Sequence, residues 1–466
     1  VARFDINEFV DRQPIGRTQL AVLLVCGLVC FIDGFDIFMI GKIAPAIAQD
    51  FGEPTEAMAF LFVSQQIGLA AGAFIVSPLA DRYGRRGMLI WSCALFGLIT
   101  LFSIYAANLT QLALLRGVAG VFMSAGLPMA LALISEVTPR KRRSMFVAIA
   151  LAGYSTGSAA SGAVAAWLLD IYGWESGFVI GGIVPLLCIP LLLYFVPESL
   201  KYMAERNPSD PRIAATIQRM SRDVRLRGDE QFTMGDAVAR PQKSRLLDIF
   251  TDGRGVMTAI IWAACILSMT NIALLGSWLP TFFQEMAGIP IQRFAISAMI
   301  AYLGGLAGML SIGWLMDRFN PTRLISLYYI GLAGALVAMA WVPFEAALFV
   351  FVLIAWNFVQ TGGQGGLNTL ITQVYPPRMR STALGWAGGA GRVGGVIAPL
   401  YGAFAIEHDF SLQLTLGLAA IGPLIVALLM FALGFVPASR RKEDGGPAEP
   451  QQADNPDDPA PTPGRA

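Results

Sequence analysis

From Leu20 to Ile43 the chain is apolar at almost every position, a length close to the roughly 20 residues a helix needs to cross the hydrocarbon core of a bilayer. Similar runs follow near 58–80, 87–106, 109–135, 144–168, 175–196, 256–283, 294–316, 322–342, 344–373, 382–405 and 411–436. The pattern predicts an all-α membrane protein with twelve transmembrane helices. Residues 197–255 are charged and divide the runs six plus six, and residues 439–466, rich in Pro, Gly, Asp and Glu, read as disordered. The expected organisation is an N-terminal six-helix bundle over 1–196, a cytoplasmic central loop over 197–255, a C-terminal six-helix bundle over 256–436 and a disordered cytoplasmic tail over 437–466.

Composition strengthens this reading, with 55% hydrophobic and only 14% charged residues and a mean hydropathy of +0.60. Charge then orients the bundle. Arg82, Arg85, Arg86, the run Arg140 to Arg143, Arg318, Arg323, Arg378, Arg380 and Arg440 to Lys442 all fall in loops on one side. The opposite loops carry Asp50, Glu53, Glu56, Asp170, Glu175, Glu285, Glu345, Glu407 and Asp409, with Arg293 the clear basic residue. The positive-inside bias places both termini of a multi-pass membrane protein in the cytoplasm. Residues 1–19 are of mixed charge and the first run is too long for the apolar core of a signal peptide, so no cleavable leader is expected. Cys26, Cys30, Cys93, Cys188 and Cys265 all fall within predicted spans and give no disulfide framework.

Two acids interrupt the first run. In CFIDGFDIFMIG (30–41), Asp33 and Asp36 stand three apart and share a helix face. A charge at the centre of a membrane helix costs about 2.5–3.5 kcal/mol on insertion scales. Mutual repulsion and desolvation favour a proton on at least one of the two. Asp33 and Asp36 are therefore the proton-coupling candidates; the plainer alternative is a structural pair bonded to a neighbouring helix.

The two halves resemble each other. SPLADRYGRRGMLIWS (77–92) faces IGWLMDRFNPTRLISL (312–327), with Asp81 on Asp317 and Arg82 on Arg318 at an offset of 236, and EVTPRKRRSM (136–145) matches QVYPPRMRST (373–382) at 237. Internal repetition in a twelve-span chain is the mark of a secondary transporter whose bundles rock about a midplane site. The repeat breaks at the acids, where Met269 and Ile272 stand opposite Asp33 and Asp36.

The segment SPLADRYGRR resembles the G-x-x-x-D-R-x-G-R-R signature of the major facilitator superfamily, with Ser77 in place of the usual glycine. Within that superfamily, IDGFDIFMIGKIAPAIAQDFG (32–52) is similar to the first span of the aromatic acid:proton symporter family, whose D-G-[FY]-D motif falls on Asp33, Gly34, Phe35 and Asp36. PESLKYM (197–203) and YPPRMRSTALGWAGGAGRVGGVIAP (375–399) agree. The resemblance covers essentially the whole chain ahead of the tail. It implies the major facilitator fold with its pseudo-two-fold repeat, and proton-coupled uptake of an aromatic carboxylic acid by alternating access. It also implies a conformational latch, with Asp81, Arg82, Arg85 and Arg86 at the cytoplasmic ends of spans two and three and an arginine reaching Glu136; simple positive-inside anchoring is the alternative. The implied partners are protons, a small aromatic carboxylate and the lipid bilayer, with the chain acting as a monomer.

Other polar residues within the spans are candidates for the substrate. Arg116, in LALLRGVAG, needs an anionic partner, either one of the acids or a substrate carboxylate. Arg392, in GAGRVGG, is flanked by glycines that let a ligand or a helix approach, and its guanidinium fork suits a carboxylate. Asn357, Gln360, Gln364 and Asn368 line one face of the tenth span, as interhelical glue or as a polar cavity wall. Gln65, Gln66 and Asn271 share that ambiguity, and Tyr154, Trp278, Tyr302, Trp356 and Trp386 either stack on a ring or face lipid. Arg116, Arg392, Gln360, Gln364 and Asn271 are taken as substrate-binding.

Enzymatic readings find little support. GAGRVG (389–394) fits G-x-G-x-x-G but lies inside a span with no preceding strand, and neither an ATP-binding loop, an H-E-x-x-H motif nor a nucleophile elbow is present. With His408 the single histidine, no metal or cofactor is expected, and the basic loops are a topology signal that gives no support to nucleic acid. The runner-up function is a porter of the same superfamily for another organic anion, sugar or drug, or an exporter. MFVAIALAGYSTGSAASG, in the fifth span, lacks the G-P pair typical of the superfamily's antiporters, which favours uptake. A membrane sensor is disfavoured by the absence of a recognisable soluble domain.

Overall fold

The structure, a computed structural model, describes residues 3–221, 224, 226, 230–234, 249–251, 253–376 and 379–436. The expected tail over 437–466, Arg378 and most of 222–248 lie outside the described residues. Twelve helical segments among those described are long and apolar enough to cross a membrane.

The first span is α2 (Arg17–Phe51), which runs past the apolar stretch at both ends. It stops at Gly52, whose φ of 66° supplies the left-handed cap that glycine adopts without steric cost. The N-terminal half continues with α3 (Met58–Tyr83), α4 (Arg85–Phe102), α5 (Leu109–Met123), α6 (Gly126–Val137), α7 (Arg140–Tyr172) and α8 (Glu175–Phe195). The C-terminal half comprises α11 (Gly255–Ala287), α12 (Ile291–Met316), α13 (Pro321–Trp341), α14 (Ala347–Val374), α15 (Arg380–Glu407), α16 (Leu412–Ala419) and α17 (Ile421–Leu433).

Spans four and twelve, read from sequence as continuous, are broken, and proline is the cause in both. Pro128, third in α6, has no N–H to offer Ser124, so the helix interrupts between α5 and α6. Pro423, third in α17, likewise leaves the Ala419 carbonyl without its helical donor. The Asn271 amide of α11 donates to that carbonyl at 3.4 Å, as backbone groups freed inside a bundle require.

The central loop also holds more structure than its charge implied. Between the halves lie α9 (Leu200–Arg206), α10 (Pro211–Met220) and the strand β2 (Gln231–Thr233). Helix α10 buries Ile213, Thr216, Ile217 and Met220, the i, i+3, i+4, i+7 stripe of an amphipathic helix. The strand β1 (Arg3–Asp5) pairs in parallel with β2, and α1 (Ile6–Arg12) follows it. Asp11 pairs with Arg140 at 3.2 Å and Thr18 donates to the Arg219 carbonyl at 2.9 Å, so the N-terminal residues bind loop and bundle together.

Helix contacts repeat as the sequence does. In the N-terminal half α2 packs on α7, α3 on α5 and α4 on α8; in the C-terminal half the equivalents are α11 on α15, α12 on α14 and α13 on α17. Buried apolar residues form three clusters. One joins the N-terminal half to the central segment through Leu200, Ile213, Ile217 and Phe232, and one joins Ile249 to the C-terminal half, both toward the arginine-rich end. The third spans both halves at the acidic end and includes Met39, Ile43, Phe62, Leu274, Trp278 and Phe282. The halves are thus sealed together at the acidic end and have separate cores at the other.

Candidate functional site

Helices α2 and α7 cross at Gly34, where a Cβ would come within 2.0 Å of the Tyr154 carbonyl. The glycine between the two acids therefore brings Tyr154 beside them. The acids then diverge. Asp36 is ion-paired with Arg116 of α5, and both are buried, at 2% and 0% exposure. Arg116 also donates to Thr100 Oγ1 at 3.1 Å and lies 5.3 Å over the Phe178 ring, while Gln65 donates to Asp36 at 3.4 Å. Arg116 is therefore held inside the N-terminal half by groups of that half.

Asp33 has no cation at ion-pairing distance among the described residues. It faces the first turn of α6, where a Cβ on Gly126 would stand 3.0 Å from both carboxylate oxygens and the Leu127 amide is directed at the group. The break in span four thus points a helix N-terminus, with its partial positive charge, at Asp33. That contact suits the carboxylate, and a proton can still arrive there without an ion pair having to break.

Arg392, on α15, is half-buried and makes no hydrogen bond or ion pair among the described residues. Its electrostatic neighbour is Tyr154 of the other half, which also lies within charge range of Asp33 and Tyr302. Phe38 stands edge-on to both Tyr154 and Tyr302, at 6.1 Å from each. One tyrosine thereby links Asp33 to Arg392, with two further rings beside it. The glycines around Arg392 serve helix packing: Gly394 has no room for a Cβ against the Ile266 carbonyl of α11, and Gly395 faces Gln66 of α3.

The polar face of α14 divides in two. Gln364 accepts from Ser268 of α11 at 2.6 Å, which is interhelical glue, and donates to Asn368 of its own helix at 3.4 Å. Gln360, by contrast, is buried with neither amide atom partnered among the described residues, and Asn357 Nδ2 and Trp356 Nε1 are likewise buried without a partner there. An unpaired buried polar group costs about 1–3 kcal/mol, so Gln360 is the better placed of the two to meet a polar ligand. Asn271 spends its amide nitrogen on Ala419 and keeps Oδ1 unpartnered. Trp278 is fully buried at the seam and donates to the Pro399 carbonyl at 3.1 Å, and Trp386 is exposed and stacked on Trp262.

At the arginine-rich end, Arg85 is ion-paired with Glu136, which also accepts from Ser199 Oγ at 2.7 Å. The Arg86 amide donates to Glu198 at 2.9 Å, and the Arg82 carbonyl accepts from the Tyr202 hydroxyl at 3.3 Å. Of these partners Glu136 belongs to the N-terminal half, while Glu198, Ser199 and Tyr202 belong to the start of the central segment that follows it, and none comes from the C-terminal half; the side chain of Asp81 lies outside the described residues. Glu198 and Ser199 belong to PESLKYM (197–203), whose residues carry the family resemblance but whose partners lie too far along the chain to be read from it. Gly84 joins the two groups, with φ 100° and a hypothetical Cβ 2.6 Å from Glu198 Oε2. Gly84→Ala should therefore cost about 1–3 kcal/mol of stability, read as a lowered unfolding midpoint of the purified protein. An unchanged midpoint would show that Glu198 moves aside freely.

Lys42, a charge within the first apolar run and not among the candidates above, also sits inside the bundle. It is buried, with its ammonium 2.7 Å from Ser161 Oγ of α7.

A family model described as Major Facilitator Superfamily matches residues 26–399. The gallate transporter of Pseudomonas putida is 31% identical over 434 residues, covering 93% of this chain and 96% of the relative. The 4-hydroxybenzoate transporter of the same organism is 32% identical over 437 residues, covering 92% and 97%. Among solved structures, the partially occluded inward-open xylose transporter XylE from E. coli aligns with a TM-score of 0.70 at 17% identity, covering 91% of this chain and 98% of that one.

Proposed function

Since the chain belongs to the Major Facilitator Superfamily and relatives at about a third identity carry aromatic acids, we propose that it takes up an aromatic carboxylic acid together with protons across the bacterial inner membrane. It is a multi-pass membrane transporter and not an enzyme. The observation that carries the reading is Arg392: a half-buried guanidinium with no hydrogen bond or ion pair among the described residues, set across the divide between the halves from Tyr154 and Asp33. The substrate carboxylate docks on that fork, its ring against Phe38, Tyr154 and Tyr302, and a ring hydroxyl meets Gln360.

Asp33 is the proton carrier. Ionised, it is a membrane carboxylate supported by one helix terminus; protonated, it is neutral and the loaded site can close. An anion entering alone works against an inside-negative potential at about 2.3 kcal/mol per 100 mV, and one accompanying proton removes that cost. Asp36 and Arg116 stay paired and hold α2 to α5. The acidic end lies outside and both termini in the cytoplasm, so this conformer is closed to the outside. The bundles over 1–196 and 256–436 rock as units within a monomer, and the Arg85–Glu136 and Glu198 contacts hold the N-terminal bundle rigid as the cytoplasmic ends approach.

The test is Arg392→Lys, which keeps the charge and loses the planar fork. Apparent affinity for 4-hydroxybenzoate, gallate or benzoate should fall about tenfold or more in right-side-out vesicles with an imposed pH gradient. A variant indistinguishable from wild type would remove Arg392 from the site. Wild-type vesicles that take up none of the three acids would remove the aromatic-acid reading itself.

A further inference from the structure

Lys42 lies six residues beyond Asp36 on α2, buried at 4% exposure. Its ammonium has three acceptors: Ser161 Oγ at 2.7 Å, the Phe38 carbonyl at 3.1 Å and the Ser158 carbonyl at 3.5 Å. All three are neutral, and all belong to the N-terminal half. Among the described residues no carboxylate lies at ion-pairing distance from it. A charged group inside a membrane bundle is costly, and by default it marks an ion or substrate path.

The place of Lys42 shows which path. The adjacent Gly41 abuts α11 so closely that a Cβ would stand 2.5 Å from the Ser277 carbonyl. Ser158, whose carbonyl accepts from Lys42, donates through its hydroxyl to Tyr302 of α12. The Tyr302 ring stands edge-on to Phe38, and the ammonium lies 5.8 Å over Phe38. Lys42 is therefore sealed behind contacts that join the halves at the acidic end. Alternating access requires that end to open, and the Ser158–Tyr302 bond and the Phe38–Tyr302 contact must then part because each bridges the halves. Lys42 stays with α2 and α7 and is left facing the opened cleft as a cation without a counter-anion.

We propose that Lys42 is a second carboxylate-binding site, on the outer side of the central one, which receives the incoming aromatic acid before Arg392 does. The inference rests on the uptake reading with the acidic end outside. Because its ligands in the closed state are weak neutral oxygens, Lys42 can exchange them for a carboxylate as the seam opens and recover them as it closes.

The full-length protein tests this in oriented membrane vesicles with radiolabelled 4-hydroxybenzoate. Lys42→Met should raise the KM for acid presented at the outer face about tenfold, the worth of one charge-assisted hydrogen bond, and leave the KM from the inner face, measured in inside-out vesicles, unchanged. Lys42→Arg should keep the outer KM within about threefold of wild type, since the charge is retained. An unchanged outer KM in Lys42→Met, or an equal rise from both faces, overturns the proposal. A second arm needs no substrate: Lys42→Cys should react with an impermeant anionic thiol reagent added outside, and faster when Tyr302→Phe removes the bridging hydroxyl. The five native cysteines are buried and set the background. A Lys42→Cys protein inert from outside overturns the proposal even in vesicles that transport no aromatic acid, an outcome that would count separately against the uptake reading.

Discussion

Asp33→Asn should abolish accumulation driven by a pH gradient while leaving exchange of labelled for unlabelled acid across the membrane. With one proton per substrate, each pH unit of gradient is worth about 1.36 kcal/mol, or tenfold accumulation. An asparagine cannot carry that proton, so the inside-to-outside ratio should fall to about one. The fold itself should tolerate the change. Asp33 has no ion pair to lose among the described residues, and an amide oxygen still accepts from the Leu127 amide at the start of α6. Insertion and exchange thus serve as internal controls. A variant that concentrates acid as well as wild type would move the coupling site away from Asp33.

What the sequence disclosed about this site, and what it withheld, follows from the range of the interactions. Twelve spans and an internal repeat are written in local apolar runs and in motifs that recur at a fixed offset, and both were readable. The D-G-F-D stretch announced its acids because charge inside an apolar run is a local signal. Its glycine gave no such signal, since the reason for Gly34 is a helix more than a hundred residues away, whose Tyr154 backbone it must admit. Arg116 and Arg392 looked alike as intramembrane guanidiniums. The fold separates them, because α3 and α5 bring Gln65 and Arg116 onto Asp36 whereas α15 leaves Arg392 with no hydrogen bond or ion pair among the described residues. Gln360 and Gln364, four residues apart on one face, differ for the same reason: Ser268 of α11 reaches one and not the other. Pro128 and Pro423 did carry the signal for the two broken spans, but long apolar runs on both sides masked it.

The Asp36–Arg116 pair should dominate stability where Asp33 dominates coupling. Arg116→Met strands a buried carboxylate with Gln65 as its remaining hydrogen-bond donor, and breaking a buried pair from one side costs about 3–5 kcal/mol. Asp36→Asn strands the guanidinium instead, with Thr100 and the Phe178 face as partners. Each single variant should lower the unfolding midpoint of the purified protein sharply. The double variant Asp36→Asn, Arg116→Gln replaces two charges by two amides that can bond each other, and should recover most of the loss, because the penalty in each single variant comes from the unpaired partner. Additive losses would show that the two side chains do not act as a pair. Transport by the double variant then decides what the pair is for. If it still accumulates acid down a pH gradient, Asp36 is a structural acid and Asp33 carries the proton alone. If it folds, exchanges and no longer accumulates, Asp36 must part from Arg116 during the cycle and take a proton as it does so.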